Sequence, residues 1–167
     1  MAEWKARRRD FEVAAVVFAL DRLTKWWAAH YLSSSEPLTV IPGLCNLTRT
    51  TNRGAAFSLL AGVEGAWGAA LLIVVSVVAV LVIGALLWRS AKSAYQHRGL
   101  RSGLALILGG ALGNLFDRAV SGAVIDFVEL SAGSYHWPAF NVADAAITVG
   151  AVLALWEMWR GRAEGKS

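Results

Sequence analysis

Gly109-Gly-Ala-Leu-Gly-Asn-Leu-Phe-Asp-Arg118, then Val124-Ile-Asp-Phe127, then Pro138-Ala-Phe-Asn-Val-Ala-Asp-Ala-Ala-Ile147 is the stretch whose reading decides the fold. Three carboxylates (Asp117, Asp126, Asp144) and two carboxamides (Asn114, Asn141) stand among residues that otherwise leave water readily. An ionised carboxylate in an apolar setting is costly unless it is paired, hydrogen-bonded or protonated. A chain that gathers several of them in such a setting uses them.

The surroundings of that stretch are those of a membrane protein. Of 167 residues, 56% are hydrophobic, and the mean hydropathy of +0.49 lies outside the range of an ordinary soluble domain. Eight Trp residues fit the same setting, because indole rings favour the membrane–water boundary. Eleven of the sixteen basic residues fall in three short segments: Lys5 to Arg9, Arg89 to Arg101, and Arg160 to Lys166. These segments flank apolar runs, as the positive-inside rule expects, and do not form the basic face with aromatics that a nucleic-acid site requires. No nucleic-acid partner is expected. The single cysteine, Cys45, excludes an internal disulfide and reads as a small half-buried strand residue. His30, His97 and His136 are far apart, so neither a metal nor another cofactor is expected.

The apolar runs predict four transmembrane helices, at about residues 11–31, 66–88, 102–118 and 141–159, in one membrane domain spanning 1–167. Residues 65–88 carry no charge over 24 positions and give the plainest span. The first is interrupted by Asp21, Arg22 and Lys25. A basic start followed by an apolar run also fits a cleaved signal peptide, with Ala28-Ala29 near the cleavage site, but those charges fall where a signal peptide is blandest. Counted from residue 11, Asp21 lies about 15 Å into the helix, near mid-depth. There it is either a direct participant or one half of a packing pair with Lys25 or Arg22. Only 15 uncharged residues separate Arg101 from Asp117, so the third helix must carry Asp117 and Arg118 at its outer end. Gly109 and Gly113 give that helix a face for close approach, and Asn114, Asp117 and Arg118 follow one turn beyond. Four spans with basic ends place both termini in the cytoplasm.

Between the first two spans the chain changes character. Leu38 to Ile41 and Leu44 to Thr51 read as two strands about a Pro42-Gly43 turn. Ala55 to Gly62 is too short to span and reads as a half-helix lying in the interface. The fold class is therefore an all-α membrane bundle with a small extracytoplasmic β-cradle and interfacial half-helix at about residues 36–62.

Asp126 and Asp144 carry the chemistry this layout allows. If helices three and four are antiparallel neighbours joined by a loop at 119–140, both side chains reach the outer mouth of the bundle. Two close carboxylates do not both ionise easily: one keeps a proton while the other acts as a base. That is what aspartyl hydrolysis requires. Taken singly, Asp144 is an ordinary capping partner of Asn141, and Asp126 a solvated turn residue. The pattern also admits a small proton-coupled transporter or channel subunit, or a non-catalytic assembly factor in which the polar residues serve packing.

Asp21-Arg-Leu-Thr-Lys25, Asn52-Arg-Gly-Ala-Ala-Phe-Ser58, Gly109 to Arg118, Val124 to Phe127 and Pro138 to Ile147 resemble, in order, the motifs of bacterial lipoprotein signal peptidase. The likeness covers about residues 11–160. It implies an aspartyl endopeptidase of the bacterial inner membrane, working near the extracytoplasmic face and sensitive to globomycin. The implied substrate is a diacylglyceryl-modified prolipoprotein, cut just before its lipidated cysteine. By motif match Asp126 and Asp144 are the implied catalytic pair. Asp21, Asn52, Asn114, Asp117, Arg118 and Asn141 are the implied polar shell that binds and orients the substrate. A monomer among membrane lipids is expected.

Overall fold

The computed structural model describes residues 2–54, 66–90 and 98–164. In chain order it contains α1 (Ala2–Tyr31), β1 (Leu38–Ile41), β2 (Cys45–Asn52), α2 (Ala66–Ser90), α3 (Arg98–Ser121), β3 (Val124–Ala132), β4 (Tyr135–His136) and α4 (Val142–Glu164). The half-helix expected at residues 55–62 lies outside the described residues. Among the described residues three helices are long and apolar enough to cross a membrane: α2, α3 and α4.

α3 is the axis of the bundle, packed against α1, α2 and α4 and most extensively against α4. Its small face does what the spacing predicts. A Cβ on Gly109 would sit 2.6 Å from the Ala14 carbonyl oxygen of α1, and one on Gly113 would collide with the Asp21 carboxylate. Only a helix without side chains at these two positions lets α1 approach so closely. Ala14, Leu87, Leu104, Ala105 and Leu108 form the apolar core that results.

The Trp residues lie at two levels. All eight Trp side chains are exposed. Trp4, Trp88, Trp156 and Trp159 ring the end remote from the sheet, and Trp26, Trp27, Trp67 and Trp137 ring the sheet end. Along α2, Trp67 and Trp88 are separated by about 31 Å of helical rise, the thickness of a hydrocarbon core of about 30 Å. α1 presents Val16, Leu20, Leu23 and Trp26 outward. Two charged residues of its second half turn the other way: Asp21 is 0% and Lys25 1% exposed.

The strands form one antiparallel sheet in the order β1-β2-β3-β4. The Pro42-Gly43 hairpin forms as read, with Leu38 opposite Leu47, and Cys45 is half-buried on β2. The sheet is larger than the cradle expected from residues 36–62. The segment taken as a loop at 119–140 supplies β3 and β4. Val124, Asp126 and Phe127 of β3 are buried, and the strand lies along β2 with Asp126 opposite Thr50. A second line of bonds runs from Phe127 N and Val128 N to Phe140 O, which draws the chain back to the start of α4.

Candidate active site

Every polar residue singled out in the sequence lies at the sheet end of the bundle. α4 begins with a reciprocal cap: Asp144 N donates to Asn141 Oδ1 at 2.9 Å, and Asn141 N donates to Asp144 Oδ2 at 3.2 Å. Asn141 is thus the N-cap and Asp144 the third helical position, as read, and the exchange satisfies one of the free amides of the first turn. The Asn141 side chain does a second task. Its Nδ2 donates to Asp126 Oδ1 at 2.6 Å and to the Ile125 carbonyl at 3.2 Å. One residue therefore holds Asp126 of β3 on one side and Asp144 of α4 on the other.

The other oxygen of Asp126 accepts Asn52 Nδ2 at 3.0 Å, from the end of β2. Asn52 is itself oriented, because its Oδ1 accepts Gly54 N at 2.8 Å. Asp144 Oδ1 accepts Asn114 Nδ2 at 2.7 Å. The two carboxylates sit in unlike surroundings, Asp126 buried and Asp144 half-exposed. Burial raises the Asp126 carboxyl from 3.8 to about 6. The charge of Asp144 pushes the same way, and the hydrogen bonds from Asn52 and Asn141 and the charge of Lys25 only partly offset it.

α1 begins at Ala2, not near residue 11, so Asp21 lies about 28 Å along the helix, level with the cluster on α3 and α4. The helix extends through the basic segment because Arg7–Glu3 and Arg8–Glu12 pairs at i,i+4 support its first turns. Both packing partners considered for Asp21 are present: Lys25 Nζ at 2.9 Å and Arg22 Nη2 at 3.4 Å. The carboxylate also reaches α4, where its Oδ1 accepts Ala143 N at 3.0 Å.

Asp117 and Arg118 separate. Asp117 is neutralised from α1, by Arg22 Nη1 at 2.6 Å and Lys25 Nζ at 2.8 Å, and not by its neighbour Arg118. Adjacent helical residues point about 100° apart, and Arg118 turns to α2, where Nη1 donates to Ser76 Oγ at 3.4 Å. Its Nε is buried without a hydrogen-bond partner among the described residues. Ser76 and Arg22 were not among the expected site residues. Ser76 carries no signal in an otherwise apolar run, whereas Arg22 stands beside Asp21 and was visible only as its packing partner.

The chain as a whole is similar to known proteins. The family described as signal peptidase (SPase) II matches residues 13–160. The chain is 44% identical to the lipoprotein signal peptidase of Solibacter usitatus over 157 residues, covering 94% of this chain and 92% of that one. It is 49% identical to the lipoprotein signal peptidase of Oleidesulfovibrio alaskensis over 139 residues, covering 83% and 86%. Among solved structures, a bacterial membrane enzyme determined by the in meso method at 2.3 Å matches with a TM-score of 0.79 at 26% identity, over 93% of this chain and 90% of that one. A second, at 1.9 Å, gives a TM-score of 0.75 at 27% identity, over 90% and 92%.

Proposed function

The chain belongs to the signal peptidase II family, and from that premise we propose that it is an aspartic endopeptidase that removes the signal peptide of diacylglyceryl-modified prolipoproteins. The observation that carries the reading is the placement of Asp126 and Asp144 on either side of Asn141. Asp144, half-exposed and accepting an N–H at each oxygen, is the base. Asp126, buried and raised to about 6, is the proton carrier. Asp144 takes a proton from water, and the water oxygen bonds to the scissile carbonyl carbon while the Asp126 proton passes to the carbonyl oxygen. Asp144 then hands its proton to the amide nitrogen, the C–N bond breaks, and a diol proton returns to Asp126. The products are a carboxyl on the signal peptide and a free amine on the lipidated cysteine.

Asn52, Asn114, Asn141 and Asp21 hold this pair, Asp117 fixes the cations beside it, and the Arg118 guanidinium is placed to receive a substrate carbonyl. The whole chain forms one membrane domain, with α1 as a fourth span. The outward apolar face of α1 and the two levels of Trp support that reading. The basic segments place both termini in the cytoplasm and the site at the extracytoplasmic face, where a lipid-anchored cysteine rests. The transporter reading is not supported, since the family and the relatives that the chain matches are signal peptidases.

The purified protein, mixed with a diacylglyceryl-modified prolipoprotein, is expected to release the signal peptide, with mass spectrometry placing the cut before the lipidated cysteine and globomycin blocking it. An intact precursor after prolonged incubation would overturn the assignment.

A further inference from the structure

Lys25 is 1% exposed, and the hydrolysis described above gives it no task. Its ammonium is held by Asp21 at 2.9 Å and Asp117 at 2.8 Å, which would suffice for charge balance. It also donates to Asn114 Oδ1 at 2.8 Å. An ammonium has donors only, so the atom of the Asn114 carboxamide that faces it must be the oxygen. Asn141 Nδ2 directs a further N–H at the same oxygen, at 3.3 Å. An amide turned this way has its NH2 group left for Asp144, and Asn114 Nδ2 indeed donates to Asp144 Oδ1 at 2.7 Å. Turned over, the amide would set oxygen against carboxylate and NH2 against ammonium, two repulsive contacts in a buried setting.

We infer that Lys25 is a positioning residue for Asp144: it fixes the sense of the Asn114 carboxamide and, through it, the N–H that orients the proton-accepting carboxylate. The inference rests on the aspartic endopeptidase reading. The approach that makes it possible is built into the backbone. Gly113 has no side chain to hold Asp21 away, and Asp21 in turn holds the ammonium one helical turn further along α1.

The test is a double-mutant cycle of Lys25→Met and Asn114→Ala, reading kcat and KM on a diacylglyceryl-modified prolipoprotein, with thermal unfolding in detergent to count folded enzyme. Each single change is expected to lower kcat about 100-fold with KM within about threefold. The double variant is expected to fall no more than about threefold below Asn114→Ala, because Lys25 acts through Asn114. Losses that multiply to about 10⁴-fold, or an unchanged kcat in Lys25→Met, overturn the inference. Should Lys25→Met not fold, Lys25→Gln takes its place in the same cycle under the same criterion. A wild-type protein that cleaves nothing would sink the peptidase reading, whereas a cleaving wild type with an additive cycle sinks only the role of Lys25.

Discussion

α1 and α3 are joined by buried charge at two levels, and the two levels are built differently. At the end remote from the sheet, Arg101 (0% exposed) donates Nε to Asp10 Oδ2 at 2.9 Å, and Arg9 Nη2 reaches Asp10 Oδ1 at 3.1 Å. One acid faces two cations there, and both of its oxygens are taken. At the sheet end, among the described residues, Asp21, Asp117, Asp126 and Asp144 lie with Arg22, Lys25 and Arg118. The first arrangement is a closed pair that fixes helix against helix. The second sets four acids against three cations, and burial, with the charge of Asp144 pushing the same way, raises Asp126 so that it keeps a proton to about pH 6. Buried charge by itself therefore does not distinguish the two ends; the amide donors on Asp126 and Asp144 do.

Asp126→Asn and Asp144→Asn press hardest on this contrast. Each is expected to reduce cleavage by about 10³-fold or more while thermal unfolding stays within a few degrees of wild type. Variants that unfold instead would place the sheet-end cluster in the same class as the Asp10 pair. Arg101→Met should give the opposite result. Leaving Asp10 buried without its main partner is expected to cost about 3–5 kcal/mol of stability, with kcat per folded molecule within about twofold of wild type. Denaturant titration beside active-site counting separates the two effects, and a kcat loss larger than the stability loss would erase the distinction.

The smallest effect concerns protons. The folded value of Asp126, about 6, lies above its ordinary 3.8, so the folded state binds that proton more tightly. The stability this provides is fully present below about 3.8 and is lost as pH rises through about 6. Asn at 126 does not ionise. The unfolding temperature of Asp126→Asn relative to wild type is therefore expected to climb between pH 5 and 8, by the equivalent of about 1–2 kcal/mol. A flat difference would mean that Asp126 carries no surplus proton.

Much of this was legible in the chain, where spacing alone decides the geometry. The Asn141–Asp144 cap, the Pro42-Gly43 hairpin and the Gly109–Gly113 face are local or periodic, and each forms as read. What escaped depends on distant partners. Gly122 to Phe127 reads as a β-like exit from the third helix within the loop at 119–140, but its length and its pairing along β2, far earlier in the chain, have no local signal. The start of α1 was set too late because the helix was counted from the start of the apolar run, while its polar first turns are held by ion pairs that hydropathy ignores. Arg101 read as one more charge in a basic linker, since nothing near it in sequence reveals that Asp10 waits across the bundle. The partners of Asp117 were hidden for the same reason.

The amide that Asp21 caps belongs to Ala143, 122 positions later in the chain. The same opening helix also positions Lys25 and steadies Asp117. Docking of the last helix beside the first therefore closes a bond that no neighbouring stretch of chain can supply, and ties the leading turn of α4 to the far end of the sequence.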